Sequence, residues 1–95
     1  MVASRVRVAR RYLVSGRVQG VGYRCFAQAA AEREGVAGWV QNLPDGRVEA
    51  VATGEAGALD RFARLLRTGP SHAQVDGVDV TTSTPAADMS GFSIR

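Results

Sequence analysis

Apolar positions along the chain change period several times, between strict alternation and a spacing near 3.6, and each change falls at glycine or proline. Residues 6–15 alternate, with Tyr12 and Val14 on one side and Leu13 on the other, as in a strand. Gly16 to Gly22 holds three glycines and reads as a loop. Tyr23 to Glu34 reads as an alanine-rich helix closed by Glu32-Arg33-Glu34 and stopped by Gly35. Val36 to Leu43 predicts a second strand. Pro44-Asp45-Gly46 then predicts a hairpin turn, because proline presets φ and glycine takes a positive one. Arg47 to Thr53 alternates Val48, Ala50 and Ala52 against Arg47, Glu49 and Val51, and Gly54 is expected to break that strand.

Glu55 to Thr68 carries the strongest helical signal. Leu59, Phe62, Ala63 and Leu66 make one apolar stripe, with Asp60, Arg61, Arg64 and Arg67 outside it. Glu55 and Arg67 sit at the ends the helix dipole favours, and Gly69-Pro70 ends the element. Val75 to Thr82 predicts a strand whose alternation slips at Gly77, where a bulge is expected. Residues 84–88 read as a loop, and Phe92 and Ile94 as a short last strand. The resulting order, β-α-β-β-α-β with a short C-terminal strand, is the α+β ferredoxin-like split βαβ pattern: an antiparallel sheet covered on one face by two helices.

That topology makes the first and second strands parallel, with the third between them, so their C-terminal ends share one sheet edge. The glycine loop leaves the first strand at this edge. Asn42 ends the second, two strand spacings or about 10 Å away. A helix N-terminus presents unpaired N–H groups and a positive dipole end, and glycines let successive N–H groups converge on one anion. Arg24, in the first helical turn, adds a guanidinium fork suited to phosphoryl oxygens. An asparagine can donate to and accept from one water at once. Each feature alone also has a plain structural reading: the glycines make a tight βα turn, and Asn42 initiates the turn before Pro44. The loop lacks the Walker A ending and the Gly-x-Gly-x-x-Gly spacing, and Cys25 follows the arginine where a cysteine phosphatase would need it to precede.

Composition narrows the chemistry further. Ninety-five residues with 45% apolar content suit one folded domain spanning 1–95. One cysteine and one histidine cannot build a disulfide or a metal cage, so no metal and no cofactor is expected. All basic residues are arginine, and the net charge of +3 is spread along the chain without a run, which argues against nucleic acid as a partner. No stretch is long and apolar enough for a membrane span and none resembles a secretory leader, so a cytoplasmic, membrane-free monomer is the expectation. His72 reads as a surface residue, Arg17 equally as a charge near the loop mouth or a solvated residue, Cys25 as packing, and Trp39 and Phe26 as core.

Two segments carry a family resemblance. Gly16-Arg-Val-Gln-Gly-Val-Gly-Tyr-Arg24 and Gly38-Trp-Val-Gln-Asn42-Leu-Pro-Asp-Gly46-Arg-Val-Glu49 resemble the two signature segments of the acylphosphatases. Gly69-Pro70 with Ala73 and Val75, and the closing Phe92-x-Ile94, are similar as well, so the likeness runs from about residue 8 to the end. Tyr23 stands where phenylalanine is common. The resemblance implies an enzyme that hydrolyses acyl phosphates to a carboxylate and inorganic phosphate. Phosphate would be held by Arg24 and the loop backbone of Gln19, Gly20, Val21, Gly22 and Tyr23, and the attacking water by Asn42. Other functions share the fold. An RNA-binding module would need aromatics on its central strands, and 47–53 has none. A metal chaperone would need paired cysteines. A non-catalytic anion sensor would be told apart by turnover. Similar domains occur inside larger hydrogenase-maturation proteins; a stand-alone enzyme is the expectation here.

Overall fold

Tyr12 and Val14, the apolar pair assigned to one face of the first strand, are fully buried beneath two helices. The computed structural model describes residues 7–85 and 90–95; Val6 and the expected loop positions Ala86, Ala87 and Asp88 lie outside them. The elements are β1 (Arg7–Arg17), α1 (Tyr23–Glu34), β2 (Ala37–Asn42), β3 (Val48–Glu55), α2 (Ala56–Thr68), β4 (Gln74–Ser83) and β5 (Phe92–Ile94). The sheet order is β4-β1-β3-β2-β5. β3 pairs antiparallel with both β1 and β2, and β4 antiparallel with β1, whereas β5 runs parallel to β2, a departure from a wholly antiparallel sheet.

The α2 stripe does what its spacing predicts: Leu59, Phe62, Ala63 and Leu66 are all buried. Phe62 meets Tyr12 edge-on at 5.4 Å between centroids and Phe92 at 5.7 Å, so one ring joins β1, α2 and β5. Val48, Ala50 and Ala52 of β3 face the same layer at 0% exposure. Small residues on β3 let large ones on the helices close the gap without voids.

Several boundaries differ from the sequence pattern by a residue or two: β3 begins at Val48 and runs on through Glu55, which caps α2 without joining it, and β4 extends one residue at each end, from Gln74 to Ser83. β1 continues through Gly16 and Arg17, because both pair with β4. Ser15 stands opposite Gly77 and Gly16 opposite Val75, so Asp76 is the extra residue of a bulge, one position from the expected Gly77. Gly54 does not break β3. It pairs with Val8, and a Cβ there would sit 2.9 Å from Val36 Cγ1, so glycine serves close strand-to-neighbour approach within a continuing strand. β2 begins at Ala37 and ends at Asn42, shorter at each end than the apolar run.

Among the described residues the sheet's other face carries no helix. β1 and β3 present Arg11, Leu13, Glu49 and Val51 there and no aromatic ring. Trp39, expected in the core, lies instead on this face, half-buried under the Arg95 guanidinium 4.1 Å from its ring centre. Phe26 is also only half-buried, against Tyr23.

Candidate active site

The loop between β1 and α1 is Val18 to Gly22. Val18 anchors it in the core, while Gly20 and Gly22 adopt positive φ of 74° and 78°. These two left-handed turns curl the backbone into the start of α1, a conformation side-chain-bearing residues take at a cost. Gly22 is the N-cap, and no side chain caps the helix. Phe26 N–H bonds to the Gly22 carbonyl, so the N–H groups of Tyr23, Arg24 and Cys25 have no intrahelical acceptor. The helix therefore opens on three N–H groups without an intrahelical acceptor, directly after two left-handed glycines.

Val18, Gly20, Gly22, Tyr23, Arg24, Cys25, Asn42 and Ile94 line one pocket of about 140 Å³. Arg24 and Asn42, 18 positions apart in sequence, are thus brought to the same cavity from α1 and β2. Asn42 shares the parity of Val40, so its side chain projects to the helix side of the sheet at the strand's exposed end. Ile94 reaches the same cavity because β5 runs parallel beside β2, with Ile94 opposite Val40. Arg24 Nη1 donates to the main-chain carbonyl of Arg95 at 3.0 Å, which steadies the guanidinium and leaves its remaining N–H groups for a ligand.

Of the loop residues expected to hold phosphate, Gly20, Gly22 and Tyr23 border the cavity, while Gln19 and Val21 do not. Val21 packs partly against the core. The Tyr23 hydroxyl is buried and donates to the Leu66 carbonyl at 2.7 Å, and burial pushes the phenol well above its ordinary pKa. Gln19 instead turns its side chain toward the β2–β3 hairpin, a role no spacing in the sequence announces.

Cys25 corrects the sequence reading. It is exposed and borders the pocket, because it lies two positions from both Tyr23 and Ala27, off the buried stripe of Tyr23, Ala27, Ala30 and Ala31. His72 is exposed, as expected, and Arg17 is exposed as well. Among the described residues no group of three or more His, Cys, Asp and Glu side chains comes together.

On the open face, Glu49 is largely buried and accepts from Gln41 Nε2 at 2.7 Å and from the Arg11 guanidinium. Burial raises its pKa, but the Gln41 amide and the Arg11 and Arg95 charges outweigh that and hold the carboxyl below its ordinary range.

Comparison with known proteins agrees with this geometry. The family model described as acylphosphatase matches residues 10–94. An acylphosphatase of Rubrobacter xylanophilus is 54% identical over 90% of this chain and 77% of its own length. One of Anaeromyxobacter dehalogenans is 52% identical over 94% and 96%. The crystal structure of acylphosphatase from Bacillus subtilis superposes with a TM-score of 0.88 at 41% identity, covering 93% of this chain and 98% of that one. With the glycine loop, Arg24 and Asn42 gathered at one pocket and likeness along nearly its whole length, the chain belongs to the acylphosphatase family.

Proposed function

We propose that this chain hydrolyses the carboxyl–phosphate anhydride of small acyl phosphates, with Arg24 and the N–H groups at the start of α1 holding the phosphoryl oxygens and Asn42 orienting the water. The observation that carries this reading is the convergence of a guanidinium, an uncapped helix N-terminus and a carboxamide on one small pocket.

Few groups suffice because the chemistry asks for little. The leaving carboxylate has a pKa near 4–5 and departs without a proton, so no general acid is required. A loose phosphoryl transition state needs little deprotonation of the attacking water, and the phosphate oxygens can take that proton. Water attacks phosphorus opposite the bridging oxygen, the P–O bond to the acyl group breaks, and carboxylate and inorganic phosphate leave. What remains for the protein is positioning and charge stabilisation. The Arg24 fork can engage two non-bridging oxygens while the backbone N–H groups take the third. Asn42, with its carbonyl accepting from the water and its amide donating to it or to the phosphoryl group, sets the line of attack.

Inorganic phosphate, as product, is expected to compete for the same cradle. The working unit in this reading is a monomer of one domain. A cytoplasmic setting, where thiols stay reduced, suits the exposed Cys25. No helix of the described residues is long and apolar enough to cross a membrane.

The test is optical: hydrolysis of an aryl acyl phosphate by the purified chain, before and after exhaustive treatment with EDTA. Turnover should be present and unchanged by the chelator. Activity that vanishes with EDTA and returns with Mg²⁺ would overturn the metal-free mechanism. No turnover at all, with phosphate still bound, would favour an anion sensor.

A further inference from the structure

The glycine loop and the strand end that bears Asn42 belong to separate elements, and the Gln19 side chain joins them. Gln19 Nε2 donates to the Leu43 carbonyl at 2.8 Å and to the Arg47 carbonyl at 2.9 Å. Its two N–H bonds are thereby both used, one on each side of the hairpin turn. The acceptors are themselves held: Leu43 carbonyl also accepts from Gly46 N–H, and Arg47 carbonyl from Leu43 N–H at 2.8 Å. Gln19 therefore clamps a turn that is already closed, and its amide adds nothing the turn needs in order to form. It immediately precedes Gly20, the first left-handed residue of the loop, and Leu43 immediately follows Asn42. The clamp thus sits one residue from each half of the pocket.

We propose that Gln19 is a positioning residue that sets the distance between the phosphoryl cradle and the water held by Asn42. This rests on the acylphosphatase reading of the pocket above. In-line attack depends on that separation, and a misplacement near 1 Å costs rate steeply. Binding of phosphate alone uses only the cradle and Arg24, so it depends on the clamp far less.

Gln19→Met keeps the length of the side chain and removes both donors. Gln19→Asn keeps the amide but is one methylene too short to reach both carbonyls, and it serves equally if the methionine variant does not fold. With circular dichroism and thermal unfolding showing a folded chain, kcat should fall by about tenfold or more while KM and inhibition by inorganic phosphate move by less than about threefold. A double-mutant cycle with Asn42→Ala separates positioning from simple support. Once the water is no longer held, Gln19→Met should slow the enzyme by no more than about twofold further. A smaller loss of kcat in the single variants, equal losses in phosphate binding, or full multiplication of the Gln19 and Asn42 effects would each overturn the role. Retention of the wild-type rate by Asn42→Ala alone would instead overturn the reading of the pocket, so the two failures are distinguishable in one set of assays.

Discussion

Arg24 reaches across 71 residues of chain to the carbonyl of Arg95, which directly follows β5, the strand lying beside β2. Arg95 is itself fixed at both its polar groups: its N–H donates to the Val40 carbonyl at 2.8 Å, and its guanidinium covers Trp39. The phosphate-binding arginine of the proposed mechanism is therefore oriented by the sheet, through β5. A guanidinium so held loses less freedom when it closes on a ligand.

From this follows a division of labour that kinetics can read. Arg24→Ala should abolish turnover and weaken inhibition by phosphate together. Arg24→Lys should fail as well, because an ammonium can still meet the Arg95 carbonyl but lacks the planar fork for two phosphoryl oxygens. Asn42→Ala should lower kcat by two to three powers of ten, about 3–4 kcal/mol, and leave phosphate inhibition nearly intact. The turn it precedes is closed by Leu43, Gly46 and Arg47 backbone groups, so the variant should fold normally. Equal loss of phosphate binding in the two alanine variants would contradict the assignment.

Cys25 offers a check on the pocket's mouth. As an exposed residue its replacement by serine should cost less than about 0.5 kcal/mol and leave turnover within a few-fold. Alkylation of the native thiol with a bulky maleimide should nonetheless inhibit by obstruction, and saturating phosphate should slow that labelling. A hundredfold loss in Cys25→Ser would reveal chemistry at sulfur instead.

Glycines of the fold should separate by what stands where a side chain would go. At Gly38, with φ 151°, a Cβ would lie 1.8 Å from the Val51 carbonyl oxygen, within the β2–β3 ladder that carries Asn42. Gly38→Ala must part those strands and should cost more than about 3 kcal/mol, or prevent folding. At Gly35, with φ 71°, a Cβ meets open space, so Gly35→Ala should cost only the left-handed conformation, about 1–2 kcal/mol. Urea denaturation of both variants measures the contrast; similar midpoints would contradict it.

Glu49 should make stability depend on acid. Its carboxyl is lower in the folded chain than in the unfolded one, where about 4.3 is ordinary. The unfolded state then binds the proton more readily, so the contribution is complete above about pH 4.3 and is lost as pH falls through the folded value. Glu49→Gln removes the titrating group, so the variant should be less stable than the native chain near neutrality and show a shallower fall between about pH 5 and 3. Parallel stability curves in that range would show that the carboxyl is not held by Arg11 and Gln41 as described.

The one-dimensional pattern was enough for whatever depends on periodicity and on local backbone chemistry. The apolar stripe of α2, the alternation of Tyr12 and Val14, the glycine stops at Gly35 and Gly69, and the element order all follow from which residues recur at which spacing. Arg24 and Asn42 were legible too, because a split βαβ chain must bring the ends of its first two β-segments to one edge, and both line the pocket there. Pairing between distant backbones was not legible. Gly54 and Gly16 look like breakers until Val8 and Val75 are set opposite them, and only then is the lack of a Cβ seen to permit the pairing. Nor does spacing reveal where long side chains end. Trp39 falls in an apolar strand yet lies on the uncovered face, Cys25 falls in an apolar helix yet reaches solvent, and Gln19 looks like one more loop residue. The face of an element is a local property of its period. The partners at that face are supplied by chain 24 to 71 residues away, as for Gln19 and Arg24, and only folding brings them within hydrogen-bonding distance.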